Sequence, residues 1–321
     1  MFMKNDFWKN INKPIIGLSP MDGVTDEPAR QIQSLVAKPD VLFTEFVSAE
    51  GFVRNPEAFK NTLVYKENER PIVAQVFGHT PEAISESIKI ISEMGFDGID
   101  INMGCPARKI LTKGGGAALI GNYKLVDEIL TKTLFAIKDS KNNIQLSVKT
   151  RIGQKIPITV KWVEFLSNYP LSAIIIHGRL LAQGLSGEVN WNEIKKAAKI
   201  AKEKNIVIIG NGGIRSIKEA KEKAKNYSLD GILIGQAALG NPWVFIEEYN
   251  PTREEIFEII KKHADLAESF YGEKGFNRVL KHFSWYPKGF DNCKQLKLKL
   301  LKTKNSNEVK EVLSQFSATS N

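Results

Sequence analysis

The segment Ile206-Val207-Ile208-Ile209-Gly210-Asn211-Gly212-Gly213 joins an unbroken apolar run to a polar, glycine-rich end. A short apolar run bounded by turn residues is typical of a strand that is buried on both faces. Seven similar runs occur elsewhere in the chain, separated by stretches long enough for helices. The eight runs cover residues 14–21, 41–47, 71–78, 98–104, 144–151, 172–179, 206–213 and 231–237.

Amphipathic segments lie between these runs. Residues 81–94 place Ile84, Ile88 and Ile91 at helical spacing, and residues 191–204 follow the same periodicity. Doubly buried strands that alternate with helices predict a parallel sheet covered by helices. Eight such units in about 230 residues favour a closed (β/α)₈ TIM barrel, an α/β fold, over a doubly wound open sheet.

The strand pattern ends after Trp243. Residues 251–270 predict one amphipathic helix, and residues 277–315 predict a second helical block. We therefore expect two domains: a catalytic TIM barrel over residues 1–243 and a small all-helical C-terminal domain over residues 244–321.

Composition limits the class of protein. The 321 residues carry a net charge of +9, are 42% hydrophobic and have a mean hydropathy of -0.22, which excludes a wholly disordered chain. No apolar run approaches the ~20 residues of a membrane-spanning helix, and no signal peptide is expected. Cys105 and Cys293 are far apart, so we expect no disulfide framework and a cytoplasmic location. Separately, we expect the protein to be a monomer.

Positive charge is concentrated in residues 274–304, which we call the basic segment. It contains nine Lys and Arg residues and one acid, Asp291. One interpretation is a solvated helix face, and the other is a surface that contacts nucleic-acid phosphates. In the second interpretation, interleaved aromatic side chains stack on bases; these are Phe283, Trp285, Tyr286 and Phe290.

Polar residues end most of the predicted strands. Barrel enzymes place their chemistry at the C-terminal ends of the strands. A purely structural barrel end has little use for converging amide, ammonium and imidazole groups, so together they predict a polar ligand. The residues at these ends include Pro20, Met21, Gln75, Asn102, Cys105, Lys149, His177, Arg179, Asn211, Gly212, Gly213, Gly235 and Gln236.

Glycines follow the last two predicted strands. Loops at these places commonly bind phosphate through backbone N–H groups, although glycines also serve tight turns. The sequence contains neither a Walker A nor a GxGxxG pattern, which favours a barrel-held cofactor such as FMN. Lys149 is suited to neutralise a reduced flavin, and Gln75 to hydrogen-bond its pyrimidine rim.

Cys105 lies just past the fourth predicted strand, close to Arg108 and Lys109. An ordinary thiol is mostly protonated at pH 7 and can act as a general acid. The cysteines and the four histidines lack metal-ligand spacing, so no metal site is predicted.

The chain resembles the tRNA-dihydrouridine synthases over about residues 14–300. The most specific match is Asn102-Met103-Gly104-Cys105-Pro106. The other matches, in the expected order, are Ser19-Pro20-Met21-Asp22-Gly23-Val24-Thr25-Asp26, Thr44-Glu45-Phe46-Val47-Ser48-Ala49, Gln75-Val76-Phe77-Gly78, Val148-Lys149-Thr150-Arg151-Ile152-Gly153, Ile176-His177-Gly178-Arg179, Gly210-Asn211-Gly212-Gly213-Ile214, Ile234-Gly235-Gln236-Ala237-Ala238-Leu239-Gly240-Asn241-Pro242-Trp243 and Lys281-His282-Phe283-Ser284-Trp285-Tyr286-Pro287-Lys288-Gly289.

The resemblance implies an FMN-bound TIM barrel with a helical RNA-binding domain, which reduces the C5–C6 double bond of uridines in tRNA with NADPH as reductant. It implies that Cys105 protonates C5 while C6 receives hydride from flavin N5. Asn102 and Arg179 are expected near the flipped uridine. The implied FMN contacts are Pro20, Met21, Asp22, Gln75, Lys149, His177, Asn211, Gly212, Gly213, Gly235 and Gln236.

Three positions depart from the family pattern. Gln236 stands where the family usually has Arg, Gly213 where an acid usually follows Asn-Gly, and Leu180 where Thr commonly follows His-Gly-Arg. These departures concern the phosphate contact and the substrate more than the class of cofactor.

Two alternatives stay open at this point. One is an FMN-dependent barrel reductase of a free pyrimidine or an enone, and the other is an RNA-binding protein without catalysis. The basic segment favours the tRNA enzyme over the first alternative, and the combination of Cys105, Lys149 and His177 favours it over the second. The sequence does not indicate which uridine is reduced.

Overall fold

Eight parallel strands form a barrel in the computed structural model, which describes residues 6–140, 142 and 144–318. The strands are β1 (Ile15–Leu18), β2 (Leu42–Ser48), β3 (Ile72–Phe77), β4 (Gly98–Met103), β5 (Gln145–Arg151), β6 (Ala173–His177), β7 (Val207–Asn211) and β8 (Gly231–Ile234). Seven of the predicted apolar runs each contain one of these strands, and β2 extends one residue beyond the run 41–47.

Backbone hydrogen bonds close the sheet on itself. The hydrogen-bonded order runs from β1 through β8 and back along the sheet to β2. The N–H of Leu18 donates to the carbonyl of Val41 at 3.1 Å, and that of Asp40 donates to Ile16 at 2.9 Å. These bonds join the two ends of the sheet, which confirms the barrel and excludes the open sheet.

Helices cover the outside of the barrel and form the C-terminal part of the chain. They are α1 (Phe7–Asn10), α2 (Glu27–Val36), α3 (Ala49–Arg54), α4 (Pro81–Ser92), α5 (Arg108–Leu111), α6 (Tyr123–Asp139), α7 (Thr159–Leu166), α8 (Trp191–Glu203), α9 (Ile217–Asn226), α10 (Arg253–Tyr271), α11 (Leu280–Phe283), α12 (Cys293–Leu300) and α13 (Ser306–Ala318). The second predicted helical block is therefore divided into three helices.

Successive strand residues pack into two different apolar cores, as the alternation of side chains in a strand requires. Ile174 and Ile176 of β6 pack against the surrounding helices, whereas Ile175 packs in a separate cluster with Ile209 and Trp8. Trp8, in α1, is fully buried in that inner cluster. The apolar filling supports the polar side chains at the other end of the strands.

Helices α10 to α13 share a hydrophobic cluster that also includes Ile32 of α2 and Trp243. The hydroxyl of Tyr271 donates to Oδ2 of Asp26 at 2.9 Å, just before α2. This helical tail, residues 253–318, therefore packs against the same segment that leads from Met21 to α2. The expected domain boundary between residues 243 and 244 stays a prediction.

Within the described residues, no helix is long and apolar enough to cross a membrane. Cys105 and Cys293 are both free thiols.

Candidate active site

A cavity of about 520 Å³ opens at the C-terminal end of the barrel strands. Its size is in the range of small-molecule and cofactor sites. It brings together most of the residues that the sequence predicts for the site. These are Pro20, Met21, Asn102, Cys105, Lys149, His177, Arg179, Asn211, Gly212, Gly213, Gly235 and Gln236.

Two predicted cofactor residues do not line this cavity. Gln75 is fully buried on β3, where its Nε2 donates to Oδ2 of Asp100 at 2.7 Å and its Oε1 accepts from Nδ2 of Asn102 at 2.9 Å. Gln75 therefore supports the side chain of Asn102. Asp22 lies next to Met21, and its negative charge acts on the thiol of Cys105.

Asn102 holds the loop that carries Cys105. Its Oδ1 accepts hydrogen bonds from the N–H groups of Gly104 at 3.0 Å and of Cys105 at 2.9 Å. Both ends of the carboxamide are thus engaged, because Nδ2 donates to Gln75. The network extends further into the barrel, where Asp100, which accepts from Gln75, also accepts from the hydroxyl of Ser147 at 2.7 Å. Burial raises the pKa of Asp100 to about 6.

Cys105 is partly buried at the mouth of the cavity. Burial is the main cause that raises the pKa of its thiol, and the negative charge of Asp22 adds to it. The positive charges of Arg151 and Lys149 oppose the rise in pKa without reversing it. The thiol is consequently protonated at neutral pH, as a proton donor must be.

A glycine loop closes over Cys105 from the other side. The N–H of Ala117 donates to the carbonyl of Cys105 at 3.1 Å. Gly116 has a φ of 57°, and a Cβ at this position would lie 2.8 Å from the same carbonyl oxygen. Only glycine combines this backbone conformation with so close an approach.

Lys149 and Arg151 lie two residues apart on β5, and both line the cavity. Burial, aided by the charge of Arg151, lowers the pKa of Lys149 to about 8. Arg151 is anchored, since its Nε donates to the carbonyl of Gly104 at 2.7 Å and its Nη1 to that of Gly184 at 2.9 Å. The sequence prediction omitted Arg151, although its position two residues after Lys149 places it on the same face.

His177 is neutral and has a defined tautomer. Burial, followed by the charges of Lys149, Arg151 and Arg179, moves its pKa far below the usual range. Its Nδ1 accepts a hydrogen bond from the N–H of Arg179 at 3.2 Å, so the remaining proton is on Nε2. His177 therefore offers one N–H donor to a ligand in the cavity.

Backbone N–H groups after β7 and β8 are free to bind an anion. Within the described part of the chain, none of the N–H groups of the following lining residues donates a hydrogen bond to the protein: Gly212, Gly213, Ile214, Gly235, Gln236 and Ala237. Such unpaired donors at the ends of two adjacent strands suit a phosphate group. We call these six residues the N–H cradle.

The charges around the cavity match an anionic ligand. Among the described residues, the lining includes Lys149, Arg151, Arg179 and Arg215 but no carboxylate. The sequence prediction missed Arg215, because a loop side chain has no periodicity that fixes its direction. Four cations, a neutral imidazole donor and the N–H cradle fit a flavin nucleotide such as FMN.

The basic segment is largely exposed in the helical tail. The side chains open to solvent are Lys274, Arg278, Lys288, Lys294, Lys299, Lys302 and Lys304. Phe283 and Tyr286, by contrast, are buried in the hydrophobic cluster of the tail. The interpretation that aromatic rings of this segment stack on bases is therefore wrong for these two residues.

The fold also brings together three residues that are distant in sequence, Asp26, His263 and His282, with one potential metal-ligand atom of each within 4.8 Å of the others. The positive charge of Lys281 acts on all three. A cavity of about 30 Å³ beside His282 matches the volume of one water molecule. The Nε2 atoms of both histidines have no hydrogen-bond partner within the described residues, and Asp26 accepts instead from Tyr271. Because a neighbouring ammonium group disfavours a second cation, we assign no metal ion to this cluster.

The fold and the site are those of a TIM-barrel enzyme with a cation-lined cavity at the C-terminal ends of its strands. The family model for dihydrouridine synthases matches residues 17–321. This chain belongs to the dihydrouridine synthase family.

Curated relatives match along nearly the whole chain. A "Probable tRNA-dihydrouridine synthase" of Staphylococcus aureus is 30% identical over 325 residues, covering 98% of this chain and 97% of the relative. "Probable tRNA-dihydrouridine synthase 2" of Bacillus subtilis is 28% identical, with the same coverage. Among solved structures, the old yellow enzyme homologue of Zymomonas mobilis matches with a TM-score of 0.49 and 13% identity, over 74% of this chain and 89% of that one.

Proposed function

We propose that the protein reduces the C5–C6 double bond of specific uridines in tRNA to dihydrouridine, with FMN as cofactor and NADPH as reductant. The observation that carries this proposal is a protonated thiol, Cys105, held by Asn102 at the mouth of a cation-lined cavity. Membership of the dihydrouridine synthase family and the names of the relatives support the substrate.

The residues that line the cavity have distinct roles in binding FMN. The N–H cradle binds its phosphate, Lys149 neutralises negative charge on the ring system, and the Nε2–H of His177 donates a hydrogen bond. Pro20, Met21 and Asn211 complete the pocket wall. When bound and reduced, FMN supplies the hydride that C6 of uracil accepts.

Cys105 supplies the proton. As C6 gains hydride, negative charge develops at C5 and toward O4, and the Sγ–H of Cys105 gives its proton to C5, a step worth ~10²–10⁴ in rate. The thiolate left behind is stabilised by the charges of Arg151 and Lys149 until solvent reprotonates it. Arg179, which lines the cavity with Nε bound to the carbonyl of Gly187 at 2.8 Å, helps to position the uridine together with Asn102.

The tRNA binds to a second surface of the protein, outside the cavity. A uridine inside a folded tRNA must leave its stack to reach the cavity, at a cost of a few kcal/mol. Phosphate contacts with the exposed basic segment compensate for part of this cost. The polyanionic substrate and the free thiols favour a cytoplasmic location.

Nucleoside mass spectrometry tests this function. Unmodified tRNA incubated with the protein, FMN and NADPH should yield uridine that has gained two hydrogens. Reduction of free uridine or of an enone, with tRNA left unchanged, would instead identify a small-molecule barrel reductase. A protein that binds tRNA but no flavin would be an RNA-binding scaffold.

A further inference from the structure

The four cations of the cavity differ in how far other groups of the protein already bind them or reduce their charge. Arg151 donates to two backbone carbonyls, Arg179 donates to the carbonyl of Gly187, and Lys149 has a lowered pKa. Arg215 is different, because it is exposed and lines the cavity without an ion pair to any carboxylate in the described part of the chain. Its full charge is available to a ligand.

The position of Arg215 is fixed by its own loop. Its backbone N–H donates to Oε2 of Glu219 at 2.8 Å, and Ser216 caps α9 by accepting from the N–H of Glu219 at 3.1 Å. These contacts place Arg215 directly beside the β7 half of the N–H cradle. The carboxylate of Glu219 is thereby engaged with the backbone, and no ion pair joins it to the guanidinium within the described residues.

Two of the three departures from the pattern that the family resemblance implies, Gly213 and Gln236, change the charge around the cradle in opposite directions. Gly213 has a φ of 71°, and a Cβ there would lie 3.8 Å from Nη2 of Arg179. An acid at position 213 would therefore lie beside Arg179 and offset its charge. Gly213 removes that negative charge, whereas Gln236 removes a positive one on the β8 side. Positive charge is thus shifted from the end of β8 to the end of β7.

We propose that Arg215 binds the phosphate of the flavin nucleotide and replaces, from the β7 side, the cation that Gln236 does not provide. The inference rests on the proposed use of FMN. A guanidinium pairs with a phosphate through two parallel, charge-assisted hydrogen bonds, which a neutral amide cannot match. The cradle then supplies the backbone donors, and Arg215 supplies the charge.

Comparison of FMN with riboflavin, which lacks the phosphate, isolates the contribution of the phosphate to binding. Flavin is removed from the full-length protein, and the dissociation constants of FMN and riboflavin are measured by flavin fluorescence for wild type and Arg215→Gln. We expect FMN to bind at least about tenfold more weakly to the variant, with riboflavin affinity unchanged. The matched control is Lys218→Gln, which removes an exposed cation of α9 that is paired with Glu248. This variant should bind both flavins as wild type does.

A second variant tests the exchange of cations directly. In Arg215→Gln/Gln236→Arg, the new arginine stands on the β8 side, and we expect it to restore most of the FMN affinity. Unchanged FMN affinity in Arg215→Gln would overturn the inference, as would an equal loss of riboflavin affinity. If the wild-type protein bound neither flavin, the proposed cofactor itself would be wrong, which is a separate outcome.

Discussion

The backbone N–H of Cys105 donates a 2.9 Å hydrogen bond to Oδ1 of Asn102, and the same oxygen accepts from Gly104. The side chain that orients the loop is in turn fixed by Gln75 beneath it. The direction of the thiol is therefore set by a buried network of strands β3 and β4. Catalysis is sensitive to such positioning, since a displacement of 1 Å can cost about 10²-fold in rate.

Asn102→Ala should lower turnover on tRNA by ~10–100-fold and leave FMN affinity nearly unchanged, because the variant frees the Cys105 loop and keeps the phosphate contacts. Single-turnover rates and flavin titration measure the two effects. Asn122→Ala, which removes the N-cap of α6 and does not line the cavity, is the control for a lost asparagine side chain. Wild-type turnover in Asn102→Ala would contradict the positioning role.

FMN affinity should fall as the pH rises from 7 to 9. The pKa of Lys149 is about 8, so its positive charge is present at pH 7 and largely lost at pH 9. Lys149→Met should bind FMN more weakly at pH 7 and show little further change at pH 9. Fluorescence titration with FMN at both pH values checks this. If the affinity of the variant fell between pH 7 and 9 as much as that of wild type, the assignment to Lys149 would be refuted.

The basic segment should set the salt dependence of tRNA binding. Replacing Lys294, Lys297 and Lys299 by Gln should reduce the slope of log K against log salt by about 2–3, if each contacts one phosphate. A triple replacement on α8, of Lys195, Lys199 and Lys202, is the control for loss of net charge alone. Equal slopes for the two triple variants would place the tRNA elsewhere.

Stability should decrease as the pH falls from 7 to 5, in part through His263. Burial lowers its pKa to about 3 in the folded state, whereas the unfolded chain titrates near 6.5. The unfolded state therefore takes up the extra proton as the pH falls, which costs about 2 kcal/mol of stability by pH 5. In His263→Gln, urea unfolding should show a pH dependence that is smaller by about this amount. An unchanged dependence would show that His263 takes up its proton in the folded state as readily as in the unfolded chain.

The sequence predicts the barrel well because each strand is a short run buried on both faces, as in residues 206–213. It also predicts which strand ends converge, since all parallel strands present their C-terminal ends at one rim. The separation of Gln75 from the cavity could not be predicted, because it depends on which neighbour its amide binds. The same applies to Arg215, whose direction depends on the loop contact with Glu219.

The helical tail was harder to predict in detail. Phe283 and Tyr286 lie among basic residues, yet they are buried against α10 and α12. Two short helices in succession give too few turns for a periodic pattern to separate the buried face from the exposed one.

The most direct test of the central claim compares wild type with Cys105→Ala, both loaded with FMN and reduced by NADPH before unmodified tRNA is added. Dihydrouridine is then measured by nucleoside mass spectrometry during a single turnover. We expect wild type to form dihydrouridine and the variant to bind tRNA and flavin normally while forming it at least ~100-fold more slowly. Dihydrouridine formation at the wild-type rate by Cys105→Ala would contradict the role of Cys105 as the proton donor.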